Sequence, residues 1–418
     1  MQQNVVGLAR GIAEELLREL GIIDASGVFS AGGSQFTTIG PTNGDHPTLR
    51  EGLAAGKRFF QIIEDTNEDQ DIPVPDASVY VEALPDVVHS HDEDVEYTNA
   101  AYQDKFIYNG RGSEIAYSFS GFSNGLFAMI NAGSGEFYSL GQLTINNSTS
   151  GSSKSGPLCR SNLGQKHLGS ITFNAGNCQT SGISMQFHNS FLNRCHFIGG
   201  GTSCSHALQL SATGKLGTVS FEGTFNSSAG RPALDVNGDS IDPYLLENVR
   251  TFFTNTGVDL NLITCRILQL NVGNSPPDII FGSRASIHSG DLGSSTITMN
   301  DENLVENCAV QFSLVTWAAF ADNSTFRNCF GGFTLTLTVG GPGARIIDNF
   351  DLLNITFNSS ADFGQARGNL LGNFASPGGT GKITFDAGAD NGLAVANIVD
   401  EATVNNGTNN TIGSNTVY

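Results

Sequence analysis

The sequence predicts an all-β solenoid, a coil of short stacked strands, on three observations. The first is a fixed period: Asn307, Asn328 and Asn349 recur at intervals of 21 residues between short apolar strands such as Thr325-Phe326-Arg327 and Asn354-Ile355-Thr356-Phe357. The second is a recurring four-residue unit, apolar, Thr or Ser, apolar, then usually Asn or an acid. It appears at Leu143–Asn146, Ile171–Asn174, Val219–Glu222, Ile297–Asn300, Ile355–Asn358 and Ile383–Asp386. Alternation with period two buries one face of each strand and leaves the other polar. The third is composition: 51 Gly, about twice the usual share, with only 14% charged residues but 39% hydrophobic ones and 28 Phe. Low charge with many apolar residues opposes disorder, and abundant turn formers fit short strands.

The totals also exclude partners. A net charge of −20 with only 20 Lys and Arg opposes nucleic acid and anionic membrane surfaces. No apolar run reaches the length of a membrane span. Met1-Gln2-Gln3-Asn4 lacks the basic start and apolar core of a secretory signal. The seven Cys are odd in number and contain no Cys-x-x-Cys pair. Cys265, Cys308 and Cys329, spaced by 43 and 21 residues, are therefore expected to be buried free thiols stacked on neighbouring coils.

Residues 3–23 place Val5, Leu8, Ile12, Leu16 and Leu20 at helical spacing, with Glu14 four residues from both Arg10 and Arg18. A lone amphipathic helix of this length is marginal in water, so its apolar face is expected to dock on the body, on other copies or on a larger assembly. Residues 25–44 are rich in Gly, Ser and Thr and read as a linker. After the turn Asn43-Gly44-Asp45, a short helix is predicted from Thr48 to Gly56, with Pro47 at its start and Leu49 and Leu53 inward. The strands Phe59–Ile63 and Ser78–Glu82 follow.

At this opening the chain resembles the pectin-lyase-like superfamily of right-handed parallel β-helices, including phage tailspikes. The resemblance covers roughly residues 45–400 and rests on the architectural pattern of a helix-capped first coil followed by stacked strands. It implies three units: 1–44 for attachment and assembly, 45–400 as the parallel β-helix, and 401–418 as a turn-rich cap or tip. It further implies a homotrimeric virion protein of the exterior appendage type, joined to other virion proteins through residues 1–44 and touching a host-surface polysaccharide. A polysaccharide depolymerase (lyase or glycoside hydrolase) on the same fold is the alternative, and a cell-surface adhesion module is a third.

Chemistry is sparse. Between Phe59 and Asp104 there is no Lys or Arg, while acids are dense from Glu64 to Asp71 and from Asp92 to Glu96. Their spacing matches no calcium loop, and they read as solvated turn acids. His188, His196 and His206 around Cys195 and Cys204 match no zinc spacing, so no metal is expected. Nor is a cofactor expected, since neither a phosphate-binding Gly loop nor a nucleophile elbow is present. Carboxylates one coil apart would lie about 4.8 Å from each other, close to the spacing of a retaining glycosidase. Glu222 with Asp242, and Asp301 with Asp322, are the candidate pairs at 20 and 21 residues. A lyase would instead need a cation, and Arg231, Arg250, Arg266 and Arg284 are available without a compact motif.

Overall fold

The computed structural model describes residues 36–93, 95–99, 102–118, 135–147, 166–174, 185–200, 208–225, 232–255, 257–273, 275–310, 314–317, 322–371, 381–399 and 401–417. Within them a 31-stranded sheet forms by parallel pairing alone, from Thr37–Ile39 against Phe59–Ile62 to Leu393–Val395 against Thr411–Gly413. This is a parallel β-helix. The repeated units stack in register: Leu143-Thr144-Ile145-Asn146 pairs residue for residue with Ile171-Thr172-Phe173-Asn174. That unit in turn reaches Val219-Ser220-Phe221-Glu222 through Cys195–Ile198. The inward members form aromatic columns, with Phe173–Phe197 centroids at 6.0 Å, Phe197–Phe221 at 5.3 Å and Phe357–Phe385 stacked at 4.7 Å. Each buried Phe contributes roughly 1.5–3 kcal/mol, and the same contact recurs coil after coil.

Past residue 286 every coil crosses three ladders. The first holds Thr296–Met299, Leu314–Trp317, the ends of Phe330–Val339 and Phe350–Phe357, and Lys382–Phe385. The second holds short strands: Ser286–Ile287, Leu304–Glu306, Thr325–Arg327, Arg345–Ile347, Gln365–Arg367, Leu393–Val395 and Thr411–Gly413. The third runs through Cys308–Ala309, Phe330, Phe350, Leu370, Ile398–Val399 and Thr416–Val417. The segment after residue 401 therefore continues the coil. At the other end, Thr37–Ile39 lies within the stretch expected to be linker, yet already pairs with the next coil. The amphipathic segment with Val5, Leu8, Ile12, Leu16 and Leu20, and the Ser/Gly stretch 148–165, lie outside the described residues.

Helix Leu49–Ala54 covers the first coil. Thr48 caps it through its side chain, which accepts the Glu51 N–H, and Leu49 and Leu53 face inward. Pro47 sits just before the cap, where its carbonyl accepts from Thr66 Oγ1 at 2.7 Å. A second cap comes from the coil below. The buried Glu68 carboxylate accepts the N–H groups of Leu49 (2.7 Å) and Arg50 (3.3 Å) and the His89 Nε2–H (3.2 Å). His89 Nδ1 lies 3.3 Å from Tyr108 Oη, and the neighbouring His91 donates Nδ1–H to the Ala116 carbonyl and accepts from Tyr97 Oη at 3.2 Å. The dense acids of this region are thus mostly spent on neighbouring N–H groups: Glu64 on Thr42 and Asn43, Asp65 on Val88, Asp71 on Glu96.

Burial, and then the nearby His89, hold His91 well below its ordinary 6.5. The folded chain therefore keeps His91 neutral where the unfolded chain takes up a proton. Stability from this group is complete above pH 6.5 and falls as pH drops below it, by up to about 1.4 kcal/mol per pH unit until the folded value is reached. Urea midpoints at pH 7.5 and 5.5 should show a drop that shrinks in His91→Gln; an identical drop in both proteins would remove His91 as its source.

Candidate functional site

Two columns of left-handed turn residues edge the second ladder. Between the first and second ladders stand Arg284, Glu302, Asn323, Gly343, Phe363, Asn391 and Asn409, all at positive φ. Each turn's backbone N–H bonds to the next coil, as in Glu302 N–H to the Asp322 carbonyl and Gly343 N–H to the Asp362 carbonyl. Gly343 matters because it carries no side chain: at φ +68° a β-carbon there would lie 2.7 Å from Asn323 Oδ1. Its gap opens a cavity of about 390 Å³, with Asp322, Asn323 and Pro342 on one side, Phe363 on the other, and Arg345 and Gln365 from the second ladder. Arg345 pairs in register with Gln365, one coil along.

The second ladder also carries a polar chain on its outer surface. Arg266 Nε meets His288 Nε2 at 3.1 Å, His288 Nδ1 meets Glu306 Oε1 at 2.6 Å, and Glu306 Oε2 accepts from Arg327 Nε at 2.6 Å. Partial desolvation raises the Glu306 carboxyl, but the hydrogen bonds from His288 and Arg327 outweigh it and leave the group below its ordinary value. Arg327 is thereby neutralised. The side chains of Arg345 and Arg367, both exposed, have no hydrogen-bonding or ionic partner among the described residues.

The candidate acids fare differently. Asp301 and Asp322 do stand on consecutive coils, because Asp301 Oδ1 accepts the Asp322 N–H at 3.1 Å. The same bond recurs as Asp362 Oδ1 to Asp390 N–H (3.1 Å) and Asp390 Oδ1 to Thr408 N–H (2.6 Å). Asp301 is therefore a turn cap, and Asp322 lines the cavity. Glu222 and Asp242 are not neighbours: Glu222 stands opposite Phe252, at the far end of strand Tyr244–Phe253 from Asp242. The coil here takes 30 residues, as the Thr224–Thr254 contact shows, so a 20-residue spacing misses the stacked position. Glu222 instead faces His196 Nε2 at 3.5 Å, while His196 Nδ1 is 2.7 Å from Ser220 Oγ. Cys195, one residue before, points inward, and burial pushes its thiol up to about 12.

The asparagine and cysteine columns also need correction. Asn307 and Asn328 share the second left-handed turn column, Asn328 Nδ2 reaching Asn307 Oδ1 at 3.4 Å, and their successor there is Asp348. Asn349 lies one residue further on, in the buried column Cys308, Cys329, Asn349, Asn369, Asn397, which ends at the half-buried Asn415. Cys308 and Cys329 are neighbours there as free thiols, and the Cys329 thiol together with burial pushes Cys308 well up. Cys265 belongs elsewhere: two coils along from it comes Asn303, whereas Cys308 lies two coils beyond Leu270. Sequence reasoning missed Phe363, Arg345, Asn369, Asn397 and Asn415. The usable signal was the turn pattern Asp301-Glu302, Asp322-Asn323, Asp362-Phe363, Asp390-Asn391, in which Phe363 is out of character.

No family model matches the sequence, and no curated protein matches it. Among solved structures the chain is similar to the crystal structure of tailspike protein 3 of bacteriophage CBA120, with 11% identity and a TM-score of 0.29 over 88% of this chain. The chain spans 58% of that tailspike's length. At this identity and score the likeness is silent on activity, ligand and assembly.

Proposed function

We propose that the chain is a structural protein of a virion exterior, a β-helical appendage that assembles as a homotrimer and meets the host surface with its lateral face. The observation that carries this reading is an apolar line on the third ladder. Phe330, Phe350 and Ile398 are 40%, 52% and 39% exposed and occupy the same position on successive coils, with the half-buried Leu370 between the last two. Large apolar side chains repeated at about 4.8 Å along a rod form a continuous strip that water covers at a cost. A second copy of the chain, aligned along the same axis, offers a strip of matching length. Of residues 1–44, those ahead of the first coil strand at Thr37 then serve attachment to other virion proteins.

Native mass measurement should give three chains, and Phe350→Asp should shift the mass toward one chain without unfolding the coil. A monomer in the unaltered protein would remove the assembly reading. The depolymerase reading keeps one specific support, the presence of Asp322 and Arg345 around a single cavity. New reducing ends or unsaturated-uronate absorbance on incubation with envelope polysaccharide, lost in Asp322→Asn, would make the appendage an enzyme.

A further inference from the structure

Phe363 occupies a backbone conformation that its side chain disfavours. Its φ of 57° is left-handed, where a β-carbon crowds the following carbonyl and where Asn and Gly are the tolerant residues. Asn323, Gly343, Asn391 and Asn409 fill the same column as expected, and Arg284 and Glu302, which share the conformation, hold each other in an ion pair at 2.7 Å. Phe363 also leaves its ring 60% exposed, so burial does not compensate the strain. A bulky residue held this way beside a cavity points outside the chain's own stability.

Charge says what lies outside. In a chain of net charge −20, the second ladder turns the side chains of Arg345 and Arg367 outward with no partner among the described residues. Their register places them one coil apart and two residues along, about 8 Å from each other. Guanidinium forks of this kind take carboxylate or sulfate bidentately. Asp322, Asn323 and Gln365 supply acceptors and donors for hydroxyl groups, and the Phe363 ring offers an apolar face to a sugar's C–H surface.

We infer that the groove between Asn323 and Phe363 binds an acidic polysaccharide, with Phe363 stacking on a sugar ring and Arg345 and Arg367 holding its anionic groups. The inference rests on the surface-contact function and adds its ligand class. A polyphosphate fits less well, because it has no C–H ring face to lay against the exposed Phe363 ring.

The test immobilises polygalacturonate, dextran sulfate and unmodified dextran and measures binding of the full chain in low and high salt. At least one acidic polymer should bind about tenfold more tightly than dextran, with affinity falling as salt rises. Preference between the two identifies carboxylate or sulfate. Arg345→Gln and Arg367→Gln should each weaken the acidic polymer about tenfold. Phe363→Asn should weaken it similarly, with an unfolding midpoint unchanged or higher and an unchanged native mass. Equal binding to dextran that survives both Arg variants but not Phe363→Asn would overturn the anion assignment and leave surface contact standing. Binding to none of the polymers overturns the inference, as does a short DNA duplex that competes fully. A changed native mass in Phe363→Asn would reassign the ring to the subunit interface. The native mass of the unaltered chain reads the appendage function separately.

Discussion

Replacing Asn369 with Ala should lower stability by about 4 kcal/mol, far beyond the usual effect of a polar-to-Ala change. Asn369 is fully enclosed and makes four bonds: Oδ1 accepts the Asn349 N–H (3.1 Å) and Nδ2–H (2.9 Å), and its own Nδ2 donates to the Ile346 carbonyl (2.9 Å) and Asn397 Oδ1 (3.0 Å). Ala strands two donors of Asn349 where water cannot reach them. Each stranded donor costs about 1–3 kcal/mol, and the ladder loses its connection between neighbouring rungs. Urea unfolding together with hydrogen exchange at the coils spanning 349–397 measures the loss. Asn328→Ala is the comparison: its side chain is exposed and joined to Asn307 by one long bond, so its cost is about 1 kcal/mol, mainly from the left-handed backbone. Equal costs for the two variants would refute the buried ladder.

The second large effect lies at the other end. Glu68→Leu should free the first coil, because it leaves the N–H groups of Leu49 and Arg50 and the His89 Nε2–H without their acceptor inside the rod. The expected loss is about 3–5 kcal/mol, against about 1 kcal/mol for Thr48→Ala, which removes only the exposed cap. In a stack where each coil leans on its neighbours, that loss is local at first. Limited proteolysis should cut Glu68→Leu between residues 40 and 80 while the coils past residue 280 stay protected. Cleavage spread evenly along the chain would contradict a terminal capping role for Glu68.

Much of this was legible beforehand. The units at Leu143, Ile171 and Val219 fall on one ladder in register, and those at Ile297, Ile355 and Ile383 on another, because each carries the inward-outward alternation in its own four residues. Helix Leu49–Ala54 was signalled by Thr48 and by the inward Leu49 and Leu53. Counting along the chain failed wherever coil length changed. Asn349 sits 21 residues after Asn328, yet the coil from Asn328 to Asp348 is one residue shorter, and that single step exchanges an exposed left-handed turn for a buried rung. Glu222 and Asp242 failed for the opposite reason, a coil half as long again as the period assumed.

The amino-acid sequence by itself determined that short alternating strands would stack, and that a helix would close the first coil. Those features are written in neighbouring residues. Which side chains share a column was decided only by the folded coil, since the bonds of Asn369, Glu68 and Asp301 join residues 18 to 28 positions apart. Loops of unequal length set that register. The Phe363 groove exists because Gly343 happens to stand between Asn323 and Phe363, a neighbourhood that no local pattern encodes.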